Sequence, residues 1–147
     1  MDADNLFFTI ITGVLVFVFS QMFLEFVLRP IQEYKKLKGE VAKGLILYAQ
    51  FYYNPYFNED GHSEGHSNAS DRLRELASEV AAFKEMVPSY LITYTIIPTK
   101  KDLQSMSENL IGLSNSCYTT KTSKERYASL AIECESKIEK VLGIKKR

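Results

Sequence analysis

The sequence predicts an all-α protein: one N-terminal transmembrane helix that continues into a cytoplasmic helical bundle, assembled as an oligomer. Three observations carry this. Residues 6–28, LFFTIITGVLVFVFSQMFLEFVL, hold a single ionisable group. Charge is divided along the chain, with no Lys or Arg in residues 1–28 and a formal charge of −3 there, against +3 over residues 29–147. Beyond residue 28 apolar residues recur at three- and four-residue steps, the helical period. A disordered chain, a disulfide scaffold and a plain soluble domain are all excluded by this division.

The segment 6–28 follows five residues of expected extracytoplasmic N-terminus. At ~1.5 Å per residue it reaches about 34 Å, enough for a ~30 Å hydrocarbon core with some tilt. Core helices of soluble proteins are rarely so long and uniformly apolar. A cleaved signal peptide would carry a basic start and a small-residue cleavage site, where this chain has Asp2 and Asp4 in front and Arg29-Pro30 behind. Arg29, Lys35, Lys36, Lys38 and Lys43 follow the span. The positive-inside rule therefore puts the N-terminus outside and residues 29–147 in the cytoplasm. Cys117 and Cys134 would then stay reduced, as ordinary packed thiols.

On a helical wheel Thr9, Thr12, Val16, Ser20, Phe23 and Val27 share one face, and Gln21 and Glu25 lie nearly opposite. Thr and Ser can satisfy themselves on their own helix carbonyls, and Glu25 precedes Arg29 by the favourable four residues. The alternative is that Thr9, Thr12, Val16, Ser20 and Phe23 line a contact or pore between copies. One span encloses no conduit, so a channel requires a homo-oligomer.

Residues 29–53 form an amphipathic juxtamembrane helix with Ile31, Tyr34, Leu37, Val41, Leu45, Tyr48 and Tyr52 on one face. Pro30 allows at most a bend where it meets the span, and Asn54-Pro55 ends it. Residues 54–69 read as a polar loop; His62 and His66 with Asp60 and Glu64 can be drawn as a metal site, but a tract this polar and Gly-rich is expected to hold none. A helical domain spans residues 70–147. Ser70 is expected to cap its first helix, with Asp71 in the first turn and Leu73, Leu76, Val80, Phe83 and Met86 inward. Residues 90–97 read as a buried helical turn, with strand the open alternative. Thr99 and Asp102 have capping-box spacing, ahead of Leu103, Met106, Leu110 and Leu113. Ser123 is expected to cap the last helix, with Tyr127, Leu130, Cys134, Ile138 and Val141 inward and Gly143 after it.

No phosphate-cradling Gly loop, G-x-S-x-G, HExxH or paired Cys-His pattern is present, so no enzyme and no cofactor are expected. Arg72 and Arg74, then Lys100 and Lys101, open two helices, and Asn115 lies near the end of one. Helix N-termini and basic side chains favour anions, and aromatics such as Tyr52 and Tyr53 stack bases at ~1–3 kcal/mol each. The bland reading gives the bases to solvated faces and the aromatics to the core. A balance of only +3 over residues 29–147 argues against long nucleic acid.

The order of one N-out span, RPIQEYKKLKGEVAKGLILYAQFYYNP, SDRLRELASEV, a VPSYL turn, a Pro-opened helix and ENLIGLSNS resembles small single-span membrane effectors of the Hailong anti-phage defence system. The resemblance runs from about residue 6 to 143 and rests on order and texture. It implies a homo-oligomeric ion channel in the bacterial inner membrane. A nucleotidyltransferase would make a deoxyadenosine oligomer that binds the cytoplasmic part and keeps the channel shut. Loss of that ligand would open it and depolarise the cell. The competing class is a membrane-tethered helical adaptor that recruits a cytoplasmic enzyme or toxin without conduction.

Overall fold

The computed structural model describes residues 3–57, 63–93, 97–119 and 124–144. A helical rod runs unbroken from Ala3 to Tyr53: α1 (Ala3–Phe23), a single π-helical turn (Leu24–Leu28) and α2 (Arg29–Tyr53). The expected continuity between the apolar segment and the first bundle helix is therefore present, and α2 stops at the residue before Asn54. Among the described residues this rod holds the one helix long and apolar enough to cross a membrane. Its large side chains stand exposed, Phe17 at 63% and Phe19 at 67%. No other described residue covers them.

Four helices then pack up, down, up and down. Tyr34 stacks on Phe83 with ring centroids 6.0 Å apart, and Phe51 meets His66 at 5.0 Å. Helix α3 (Glu64–Met86) therefore runs back along α2. The short α4 (Ser89–Thr93) turns the chain, and α5 (Lys100–Ser116) descends along α3. Ser70 and Ser114 hydroxyls meet at 2.9 Å, and Ser107 Oγ donates to the Ala77 carbonyl at 2.9 Å. Helix α6 (Lys124–Leu142) climbs back beside α5, where Cys134 packs on Gly112. At the far end β1 (Tyr56–Phe57) pairs in parallel with β2 (Tyr118–Thr119), Tyr56 opposite Tyr118. This two-residue bridge is the sole strand pairing among the described residues.

The stripes read from spacing form the core. Val41, Leu73, Leu76, Val80, Leu103, Met106, Leu110 and Leu113 are each 0% exposed. Burying each large aliphatic side chain contributes ~1.5–3 kcal/mol. Thr99 and Asp102 form the expected capping box, Thr99 Oγ1 accepting from the Asp102 amide at 3.1 Å. Gly143, at φ +63°, closes α6 with Gly143 N–H to the Lys140 carbonyl (3.2 Å) and Ile144 N–H to that of Glu139 (3.0 Å). That is the left-handed cap only glycine adopts without penalty.

Several expectations are corrected. Residues 64–69 are not loop: α3 starts at Glu64, six residues before Ser70. Ser70 is a buried interior residue bonded to Ser114 rather than a cap. Packing drives the earlier start. Gly65 admits the Phe51 ring, which would lie 2.9 Å from a Cβ there, and Ala69 is fully buried. Met86 is 67% exposed because α3 ends beyond the core. The inward face of α6 is Ala131, Cys134, Ile138 and Leu142; Leu130 is 40% exposed. A small Ala at the inward position misplaces the stripe read from bulky residues. In the 90–97 tract, residues 89–93 are helical, Leu91 and Ile97 are buried, and Tyr90 is 41% exposed. Asp60, His62, Ser123 and residues 94–96 lie outside the described residues.

Candidate functional site

The junction between the apolar helix and the bundle holds the most specific geometry. A regular helix would send the N–H of residue 30 to the carbonyl of residue 26. Pro30 has no N–H, and its ring crowds that carbonyl. The chain answers with the π turn, in which Arg29 N–H reaches back to the Leu24 carbonyl. The Phe26 carbonyl instead accepts a hydrogen bond from the Tyr90 hydroxyl of α4. Glu25 and Arg29 pair at 2.5 Å beside it, in the order expected from their spacing. A bundle side chain thus grips the rod at the one point where its backbone ladder is interrupted.

Along α1, Thr12 Oγ1 donates to the Phe8 carbonyl at 2.8 Å and Ser20 Oγ to that of Val16 at 2.7 Å. Both hydroxyls satisfy themselves within the helix, which lets this face meet lipid or another helix equally well. Val16 and Phe23 are exposed on the same side.

The expected ligand residues do not converge. Arg72 is held by Glu75 (2.6 Å), Glu79 (3.3 Å) and Glu40 (3.4 Å). Arg74 and Asn115 do come together, at 3.2 Å, with Arg74 Nε also donating to Ser114 Oγ at 2.9 Å. They sit at the end of the bundle away from the rod's apolar half. Lys100 and Lys101 open α5 at the opposite end. Arg74 and Lys84, which lies in the last turn of α3 toward that end, are ten positions apart, about 15 Å of helix.

Tyr52 cannot offer a face to a base, being 0% exposed. Its hydroxyl lies 2.9 Å from the Leu45 carbonyl and 2.8 Å from Glu135 Oε1, while Tyr53 donates to the other oxygen of the same carboxylate. Burial, then the Glu135 bond, pushes both phenol pKa values up, so both stay protonated donors. Sequence reading missed Glu135 because nothing local marks it as the partner of residues over 80 positions away.

His66 is a packing residue. Its Nε2 meets the Asn54 carbonyl at 2.9 Å and its Nδ1 the Ser63 hydroxyl at 2.9 Å. A carbonyl only accepts, so Nε2 carries a proton. The ring lies among Phe51, Tyr56 and Tyr118. No three His, Cys, Asp or Glu side chains converge as metal ligands among the described residues. Cys117 and Cys134 are free and buried, and burial pushes the Cys117 thiol up to about 12. Such a thiol is inert at neutral pH.

No protein-family model, curated protein or solved structure matches this chain.

Proposed function

We propose that the protein is a membrane-inserted effector in which a cytoplasmic helical bundle governs an N-out span of the bacterial inner membrane. The observation that carries this reading is mechanical: rod and bundle are joined through one continuous helical run with a π turn at Leu24–Leu28, and Tyr90 clamps it at the Phe26 carbonyl. Movement of α4 relative to α2 therefore loads the turn next to the apolar helix. In the finer form suggested by the resemblance, several copies build an ion channel with Thr9, Thr12, Val16, Ser20 and Phe23 toward the conduit. A short oligodeoxyadenylate made by a nucleotidyltransferase holds it shut, as part of anti-phage defence. Such a ligand closes a channel only by binding the shut arrangement more tightly than the open one. The exposed apolar surface of α1 supports insertion in lipid, and the charge asymmetry supports the orientation.

Purified full-length protein in planar bilayers tests the reading. Currents that fall on adding oligodeoxyadenylate and return on its removal are expected. Silence from protein that remains membrane-bound would return the reading to the non-conducting adaptor.

A further inference from the structure

We infer that a cleft at the rod-proximal end of the bundle is a binding site for a phosphate-bearing anion, with Lys38, Lys140 and Tyr34 as its principal contacts. The cleft measures about 750 Å³ and is walled by α2, α4, the start of α5 and the end of α6. That volume falls within the range of small-ligand sites, about 300–1,000 Å³.

Its lining is cationic. Lys38 enters from α2, and Lys137 and Lys140 from α6, against the single carboxylate of Asp102. That carboxylate is already engaged, accepting from the Thr99 amide at 3.2 Å and the Thr99 hydroxyl at 2.7 Å. Lys137 is paired with Glu133 at 2.6 Å on the outer side. Lys38 and Lys140 have no acidic partner among the described residues. Lys38 and Lys140, from two helices about a hundred residues apart in sequence, thus bring two ammonium groups to one cleft.

An independent observation comes from Tyr34. The residue is 8% exposed, its ring stacks on Phe83, and it lines the cleft. Its hydroxyl has no hydrogen-bond partner among the described residues, although Tyr52 and Tyr53 are both fully engaged. Among the described residues no completely enclosed side-chain polar atom is left unpaired, so this hydroxyl is not sealed from solvent. Burial raises its pKa, and the phenol stays a donor. A donor set of two ammonium groups and a phenol suits phosphate oxygens, which accept charge-assisted bonds.

The cleft also touches the junction. Ile92 lines it from α4, two residues from the Tyr90 that holds Phe26. Tyr34 and Lys38 follow Leu28 by six and ten residues, about 9 and 15 Å along the helix. That depth admits either a soluble phosphorylated ligand or the phosphate of an anionic lipid. The assignment rests on the proposed function only in making oligodeoxyadenylate one of the probes.

Full-length protein in phosphatidylcholine nanodiscs is titrated calorimetrically with pyrophosphate and with a short oligodeoxyadenylate. A parallel arm measures retention of phosphatidylglycerol from mixed vesicles. Lys38→Gln/Lys140→Gln should weaken binding about tenfold or more, and Tyr34→Phe several-fold. Lys43→Gln/Arg126→Gln, which removes equal charge elsewhere, should leave it unchanged. Circular dichroism melts check that each variant folds. Binding of the free anions assigns a soluble ligand; retention of phosphatidylglycerol alone assigns lipid. If neither is bound, or the cleft and control variants behave alike, the site is overturned. Cleft-dependent binding without currents would sink the channel and leave the site standing. Ligand-controlled currents indifferent to the cleft variants would do the reverse.

Discussion

The two ends of the bundle treat their polar groups in opposite ways. At the far end, Tyr52 and Tyr53 share Glu135, His66 bridges Ser63 and Asn54, and Arg74 binds Ser114 and Asn115. At the near end, the Lys38 and Lys140 ammonium groups and the Tyr34 hydroxyl line a cleft with no hydrogen-bond or ion-pair partner among the described residues. Buried polar groups are costly unless paired, so the far end spends its hydrogen bonds on holding helices together. At the near end the Tyr90 clamp and the Thr99–Asp102 cap are engaged, whereas the Lys38, Lys140 and Tyr34 polar groups in the cleft are not. A bundle locked at one end and open at the other can respond to what enters the open end without losing its fold.

Substitutions at the two ends should therefore differ in kind. The largest effect is expected from Tyr52→Ala, which empties a fully buried site and strips Glu135 of a donor. Urea unfolding followed by circular dichroism should show a loss of about 3–5 kcal/mol. Glu135→Gln leaves the packing but removes the charge that both phenols bind, and should lower stability by about 1–2 kcal/mol in the same assay. The linkage has a definite sign. The Tyr52 pKa is raised in the folded state by burial and by Glu135. Its contribution is whole below pH ~10, the ordinary tyrosine value, and fades as pH climbs above it. Tyr52→Phe should flatten that alkaline decline.

Tyr90→Phe is expected to do less globally, about 1 kcal/mol or below. Its signature should be local: faster amide exchange over residues 24–31 with the rest of the bundle protected as before. The smallest change belongs to the open end. Lys38→Gln and Lys140→Gln, with no partner to lose, should shift the unfolding midpoint by no more than about 0.5 kcal/mol equivalent. A destabilisation comparable to that of Glu135→Gln would erase the contrast between the ends.

Periodicity made most of the architecture legible, because the core stripes of α2, α3 and α5 are bulky and regular. Pro and capping residues marked Tyr53 and Thr99 as boundaries. The start of α3 was hidden because Gly65, Ser67 and Asn68 are poor helix formers, and tertiary packing of His66 and Ala69 overrides their propensity. The candidate site was hidden for a different reason. Arg72 and Lys100 drew attention by standing at apparent helix starts, whereas Arg72 is consumed by three glutamates. Lys38 and Lys140 stand about a hundred residues apart in the sequence, and only the up-down topology brings α2 and α6 together. Lys137 and Lys140 are three apart on one helix face, the one local hint available.

The widened turn at Leu24–Leu28 also fixes an angle. Each residue advances a helix by about 100°, and a π turn accommodates one more residue than an α turn in the same pairing. Were that turn to revert to α pairing, the Thr12 and Ser20 side of α1 would swing by roughly a quarter revolution relative to the bundle. Pro30 and the Tyr90 phenol both sit at that turn, so the proline and one hydrogen bond together hold the side of the rod that the Thr12 and Ser20 hydroxyls occupy relative to the bundle.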